Sequence, residues 1–247
     1  MKALITGATS GIGLACAETL AQLGYSLVLT GRRAERLAKI KLELIQKYGV
    51  EVATLSFDIS NKNEVQQYIS PLIDIDVLIN NAGLAAGFGE LVNGDIEDWE
   101  RMIDTNIKGV LYVTKIIANT MKQRGSGHIV NIGSTAAKDV YPNGNVYCAT
   151  KHALDAISKA LRIELLPYHI KVTAVHPGMV HTEFSQVRYK GDNELADKVY
   201  DNIDPLQAKD VAEVIGFVLQ RPSYVNLNDI VMTCTAQANS MYVHRKQ

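Results

Sequence analysis

The chain has 247 residues, of which 47% are hydrophobic and 21% charged, and a formal net charge of −1. That is enough for one large α/β domain or two small ones, and it excludes the global basic field that draws a protein to nucleic acid or an anionic membrane. No apolar run reaches the roughly 18 residues a membrane helix needs, and three isolated cysteines, Cys16, Cys148 and Cys234, read as free thiols of a reducing compartment.

The first strand pattern, Ala3–Thr6, starts so early that no signal peptide is expected, which together with the thiols points to the cytoplasm. It runs into "GATSGIG" and a helical pattern over Ile12–Leu23. Glycines at 7, 11 and 13 allow a tight turn in which the backbone of Gly7, Ala8, Thr9, Ser10, Gly11 and Ile12 can approach a pyrophosphate at a helix N-terminus. Gly83, Gly87 and Gly89 repeat the spacing, but no apolar helix follows them, so the phosphate-cradle context fails there.

The second strand, Ser26–Thr30, ends at Arg32 and Arg33, before a helix over Arg33–Lys47. An acidic residue at this point would hold a free ribose 2′-hydroxyl; two arginines suit a 2′-phosphate, hence NADP rather than NAD. Cations at a helix start oppose its dipole by roughly 0.3–1 kcal/mol each, a cost that a bound phosphate would reverse. Two solvated arginines are the plainer alternative.

The pattern continues with a strand at Val52–Phe57 followed by Asp58 and Ile59, and a helix at Lys62–Ser70. A strand at Val77–Asn80 leads into Asn81, Ala82 and Gly83, and one long helix is expected over Ile96–Gln123, with Asn106 inside it. A strand at His128–Ile132 precedes Ser134, and a helix over Val146–Leu166 opens with Tyr147 and Lys151, one turn apart and about 6 Å along the axis. A strand at Lys171–Val175, a helix at Ala208–Leu219 and a strand at Asp229–Met232 complete the series.

This alternation predicts a single doubly wound Rossmann-type α/β domain spanning 1–247, with a mostly parallel seven-stranded sheet covered by helices on both faces. The stretch 177–195 breaks the rhythm beyond a strand's C-terminal end, where open α/β sheets bind ligands. It reads as a substrate lid or as a plain surface excursion. Tyr242 and Lys246 form a second Tyr-x-x-x-Lys, so the spacing of Tyr147 and Lys151 does not by itself establish a catalytic pair. Six histidines show no H-x-x-x-H or H-E-x-x-H spacing, and no metal is expected.

Taken together, the chain resembles the short-chain dehydrogenase/reductase family over essentially its whole length. The resemblance rests on T-G-x-x-x-G-x-G at Thr6–Gly13, Asp58, N-N-A-G at Asn80–Gly83, Asn106 in "DTNIKG", Ser134 in "NIGS", Tyr147 and Lys151 in "YCATK", and Pro177–Gly178. "NNAGLAAG", "DWERMIDTNIKG", "GNVYCATK" and "TEFSQVRYKGD" are similar to the NADP-dependent 3-hydroxy acid dehydrogenases, which oxidise L-serine, L-allo-threonine and related short acids; Cys148 stands where a small residue would be expected.

The resemblance implies that Tyr147 exchanges the substrate proton, with its pKa lowered by Lys151, which also contacts the ribose. Ser134 would bond the substrate oxygen, and Asn106 would hold a water that links Lys151 to solvent. Asp58 and Ile59 would lie near the adenine, Asn81–Gly83 against the cofactor, and Pro177, Gly178, Val180 and Thr182 at the nicotinamide. A substrate carboxylate wants a cation, and Arg188 in the lid is the candidate. Ala149, Ala153, Ala156 and Ala160 fit either packing within one chain or the subunit interface of a homotetramer, as in the family. Reduction of 3-oxoacyl thioesters by the same chemistry, or a silent cofactor sensor, are the competing functions.

Overall fold

The computed structural model describes residues 1–246. Its framework is a sheet of seven strands: β1 (Lys2–Ile5), β2 (Ser26–Gly31), β3 (Val52–Ser56), β4 (Val77–Asn80), β5 (Gly127–Ile132), β6 (Ile170–Pro177) and, after two short strands described below, β9 (Asp229–Met232). They lie side by side in the order β3-β2-β1-β4-β5-β6-β9, and every pairing is parallel, so the expected "mostly parallel" sheet is wholly so. The strand order reverses between β1 and β4, which places the ligand crevice at the C-terminal ends of those strands.

The strand sequences are apolar because both faces are covered. Successive side chains point to opposite faces: Ala3 and Ile5 of β1 join a core with helices α1 (Gly11–Gln22), α2 (Ala34–Tyr48) and α9 (Ala208–Leu219), while Leu4 between them joins another. This second core packs against α3 (Lys62–Ile69), α5 (Val110–Arg124) and α6 (Asn145–Leu165). Leu4 and Ile5 have no exposed surface; burying each such side chain contributes roughly 1.5–3 kcal/mol. The helix ends follow local chemistry. Asn61 caps α3 by accepting from the Asn63 and Glu64 amides, and Gly49 and Gly125 end α2 and α5 in the left-handed region.

The single helix expected over 96–123 is divided. An α-helix, α4 (Ile96–Ile103), passes into a π-helical segment, Asp104–Gly109, before α5 begins. The apolar pattern carries on through the wider turn, so the sequence reads as one helix. The irregular stretch also holds more structure than expected. Strands β7 (Val180–His181) and β8 (Leu206–Gln207) pair in parallel, with α7 (Phe184–Arg188) and α8 (Asn193–Lys198) between them. The strands are too short to show a period.

Candidate active site

The turn after β1 is shaped by a side chain from β4's exit. The Asn81 amide Nδ2 donates to the Thr6 and Gly7 carbonyls at 2.9 and 3.1 Å, and the Thr6 hydroxyl accepts from the Asn81 and Ala82 amides. A Cβ on Gly13 would come within 2.4 Å of both Asn81 Nδ2 and the Gly7 oxygen, so this position requires glycine. Asn81 therefore braces the loop, and its donors are spent on that. The first turn of α1 carries no acidic side chain, and Ser10 makes no capping bond among the described residues, which leaves helix N–H groups for an anion. The residues fit a dinucleotide's pyrophosphate.

At the exit of β2, Arg33 is the N-cap residue of α2. Its Nη2 donates to Thr9 Oγ1 at 2.7 Å and Ser10 Oγ at 2.8 Å, its Nε to Thr9 at 3.1 Å, and its Nη1 to Glu183 at 2.8 Å. Arg32 is 66% exposed, with Asp58 at 3.7 Å. Burial would raise the Asp58 carboxyl, but the Ser60 amide and hydroxyl and Arg32 hold it below its ordinary value. Asp58 thus organises the turn ahead of α3, and Asn61 caps that helix. Ile59 is buried, close enough to Gly109 that a Cβ there would approach it to 3.0 Å.

Beyond β5, Ser134, Tyr147 and Lys151 converge. Tyr147 and Lys151 are 8% and 6% exposed. Lys151 Nζ donates to the Ile132 carbonyl at 2.8 Å and stands 5.9 Å from the centre of the Tyr147 ring. Burial pulls the amine down to about 8, so it is still an ammonium at pH 7. In the protein alone the Tyr147 phenol is not lowered. Burial pushes Tyr147 well up, neighbouring Tyr141 adds to this, and the Ser134 hydroxyl and the Arg188 charge pull it only partly back. The protein alone therefore keeps the phenol protonated.

Asn106 lies in the π-helical segment. Its Nδ2 donates to the Leu84 carbonyl at 2.8 Å and Thr150 Oγ1 at 3.1 Å, and its Oδ1 accepts from the Leu84 amide at 2.9 Å. Thr150 in turn donates to the Tyr147 carbonyl. Asn106 ties the segment after β4 to the first turn of α6. A Cβ on Gly83 would come within 3.2 Å of its Oδ1.

Arg188, at the end of α7, sits in an aromatic cage. Its guanidinium carbon is 4.8, 5.4 and 5.6 Å from the ring centres of Phe88, Tyr141 and Tyr147. Nη1 donates to the Tyr141 hydroxyl at 2.8 Å, while the buried Nε has no partner among the described residues. The second glycine cluster finds its use here. Gly87 has φ +73° and its amide donates to the Arg188 carbonyl, placing Phe88 against the guanidinium. Phe184 packs on Tyr147 with ring centres 5.5 Å apart. Thr182 is held against Gly11, whose φ is +53°, and Val180 accepts from the Tyr200 hydroxyl. Pro177 pairs with Met232, and Gly178 packs so closely on Gln237 that a Cβ would meet its Oε1 at 2.1 Å. Phe88, Tyr141 and Glu183 were not singled out in the sequence; only the meeting of three loops reveals them.

The other candidates fall away. Tyr242 is 68% exposed, and Lys246 pairs with Asp204, so the tail's Tyr-x-x-x-Lys is no pair. Cys148 is fully buried, and burial raises its thiol. Asp155, His176 and Asp229 offer ligand atoms within 4.8 Å of one another, but the Lys138 ammonium bonds both carboxylates, at 3.0 and 2.7 Å, and supplies the cation there.

The short chain dehydrogenase family profile matches residues 1–193. The chain belongs to the short-chain dehydrogenase family. This short-chain dehydrogenase is 42% identical to the NADP-dependent 3-hydroxy acid dehydrogenase of Salmonella typhi, over 99% of its own length and 100% of that protein. It is 41% identical to the NADP-dependent 3-hydroxy acid dehydrogenase of Schizosaccharomyces pombe, over 99% of its length and 96% of that protein. A solved closed form of serine dehydrogenase complexed with NADP+ superposes with a TM-score of 0.92 at 40% identity, each chain covered in full (100%). Serine dehydrogenase from Escherichia coli gives 0.82 at 36%, covering 96% of this chain and 100% of the other. Among the described residues no helix is long and apolar enough to cross a membrane.

Proposed function

We propose that this short-chain dehydrogenase transfers a hydride between NADP and a short 3-hydroxy acid such as L-serine, L-allo-threonine or 3-hydroxypropionate. The observation that carries the acid specificity is Arg188: a caged guanidinium with an unpartnered Nε, facing the ring of Tyr147. A buried donor without a partner costs about 1–3 kcal/mol, and a carboxylate is the acceptor such a group takes best. The rings of Phe88, Tyr141 and Tyr147 lie around this half-buried guanidinium and leave its Nε buried. The relatives named above act on the same class of molecule.

When bound, the nicotinamide accepts or returns the hydride. Gly7–Ile12 would hold the pyrophosphate, Arg32 and Arg33 the 2′-phosphate, and Asp58 and Ile59 the adenine. Asn81, Ala82 and Gly83 would wall the cleft, with Pro177, Gly178, Val180 and Thr182 at the nicotinamide. Ser134 donates to the substrate oxygen and stabilises charge that develops there. Tyr147 takes the hydroxyl proton in oxidation and gives it in reduction. Its phenol is protonated in the protein alone, so base character depends on positive charge brought into the site, to which Lys151 and Arg188 add their own. Lys151 also bonds the ribose. Both Nδ2 hydrogens of Asn106 are used, so a water path to Lys151 starts from its acceptor atoms.

The stretch from 177 to 195 serves as the substrate lid of this single domain. Ala149, Ala156 and Ala160 are exposed, with Ile163 on the same helix, which favours the homotetramer over packing within one chain. Three buried unpaired cysteines suit the cytoplasm. Initial rates with NADP⁺ against L-serine, L-allo-threonine, 3-hydroxypropionate and a neutral secondary alcohol test the proposal, with acetoacetyl thioester and NADPH as the reverse assay. Turnover of the thioester without any hydroxy acid would move the function to the reductase alternative.

A further inference from the structure

One carboxylate sits where an external anion is expected. Glu183 Oε2 accepts from Arg33 Nη1 at 2.8 Å, and its Oε1 accepts from Arg36 Nη1 at 2.7 Å. With Nε and Nη2 given to Thr9 and Ser10, every nitrogen of the Arg33 guanidinium is engaged. Burial would raise the Glu183 carboxyl, but the two guanidiniums hold it below its ordinary value, so it is an anion at neutral pH. Glu183 is also the residue between Thr182 and α7, the helix that ends in Arg188. It thus joins the adenosine end of the cleft to the segment carrying the guanidinium beside Tyr147.

We propose that Glu183 is an internal competitor for the cofactor's 2′-phosphate: it occupies Arg33 and Arg36 until that phosphate displaces it, and so sets cofactor selectivity and ties it to the lid. The proposal rests on the NADP reading above. An unphosphorylated dinucleotide leaves the Glu183 contacts in place and the lid tethered at its start. A 2′-phosphate is a stronger acceptor than one carboxylate, takes the guanidinium donors, and frees α7 to adjust over the substrate. The sign of the effect separates this role from a supporting one. If Glu183 merely oriented Arg33 for the phosphate, removing its charge would weaken NADPH binding; as a competitor, its removal strengthens it.

The probes are NADPH, NADH, adenosine 2′,5′-bisphosphate and 5′-AMP; the last two lack the nicotinamide that would touch the lid directly. Glu183→Gln keeps the shape and removes the charge. Two exposed ion pairs are lost, so the Kd for NADPH should fall roughly threefold to tenfold, while that for NADH moves less than about twofold. In the parent protein, adenosine 2′,5′-bisphosphate should speed amide hydrogen exchange across 183–188 and 5′-AMP should not. In Glu183→Gln, exchange there should be fast from the outset and insensitive to the bisphosphate. An NADPH Kd that is unchanged or raised in Glu183→Gln, or a lid indifferent to bound bisphosphate, overturns the proposal. Failure of the NADP reading looks different: the parent protein itself would bind the bisphosphate no better than 5′-AMP.

Discussion

The two ends of the cleft hold their cations in opposite ways. Arg32 and Arg33, at the exit of β2, are exposed, and Arg33 is saturated with hydroxyl and carboxylate partners. Lys151 and Arg188, at the other end, are enclosed by aromatic and apolar groups; Lys151 has one carbonyl partner and Arg188 keeps a donor in reserve. Water screens the first pair, so their effect on a ligand is modest and sensitive to salt. The second pair act across a medium of low polarity, where each charge weighs more and also costs the fold more.

The largest expected effect tests whether the enclosed end does the chemistry. Tyr147→Phe should lower kcat by roughly 10²–10⁴ while the NADPH Kd, read from cofactor fluorescence, stays within about twofold; retained turnover would show that the phenol carries no proton. Next, Arg188→Met should raise KM for L-serine by roughly 10- to 100-fold, the value of a charge-assisted bond, and leave KM for a neutral secondary alcohol unchanged. Equal losses on both substrates would make Arg188 a packing residue.

A third prediction concerns what enclosure costs. Lys151 titrates at about 8 in the fold against 10.5 for the free side chain. Between those values the unfolded chain binds a proton that the folded chain has released, so this group makes stability rise with pH through the window; its penalty is full below pH 8. Lys151→Met should therefore be more stable than the parent protein at pH 7, by roughly 1–3 kcal/mol, with the advantage gone by pH 10.5. Urea melts at both pH values measure it, and a difference that ignores pH would mean that the amine is not desolvated. The smallest effect belongs to the exposed end. Raising salt from about 0.05 to about 0.3 M should weaken NADPH binding roughly threefold, and less in the Arg32→Ala/Arg33→Ala double variant. The L-serine defect of Arg188→Met should not respond.

The exposed end was the more legible in sequence, because its parts are local. Gly7–Gly13, Arg32 and Arg33 follow directly on strands, and strands announce themselves by apolar runs; all seven large-sheet strands fall within about two residues of expectation. Tyr147 and Lys151 were legible for the same reason, as neighbours on one helical turn. The cage around Arg188 was not. Phe88 and Tyr141 come from two loops and Arg188 from the end of α7, brought together partly by the pairing of Val180 with Leu206, and no periodicity encodes that encounter. What Gly87 does, seating Phe88 against the Arg188 guanidinium, depends on the same distant partner. The burial that raises the Tyr147 phenol in the protein alone is likewise invisible in sequence.

The π-helical segment at Asp104–Gly109 has a consequence for how this helix tolerates change. A wider turn accommodates one residue more than an α-helix would over the same rise, so α4 and α5 keep the orientation of one continuous helix while the sequence pattern of inward positions shifts by one residue. Removing one residue from the segment should give a more regular helix, easier to form by every local rule. Yet it would take away the wider turn that carries Asn106, whose side chain holds the Leu84 backbone and Thr150 of α6 together. A single-residue deletion here should therefore make the helix more regular and yet loosen its hold on α6: the irregular turn is kept for what Asn106 reaches.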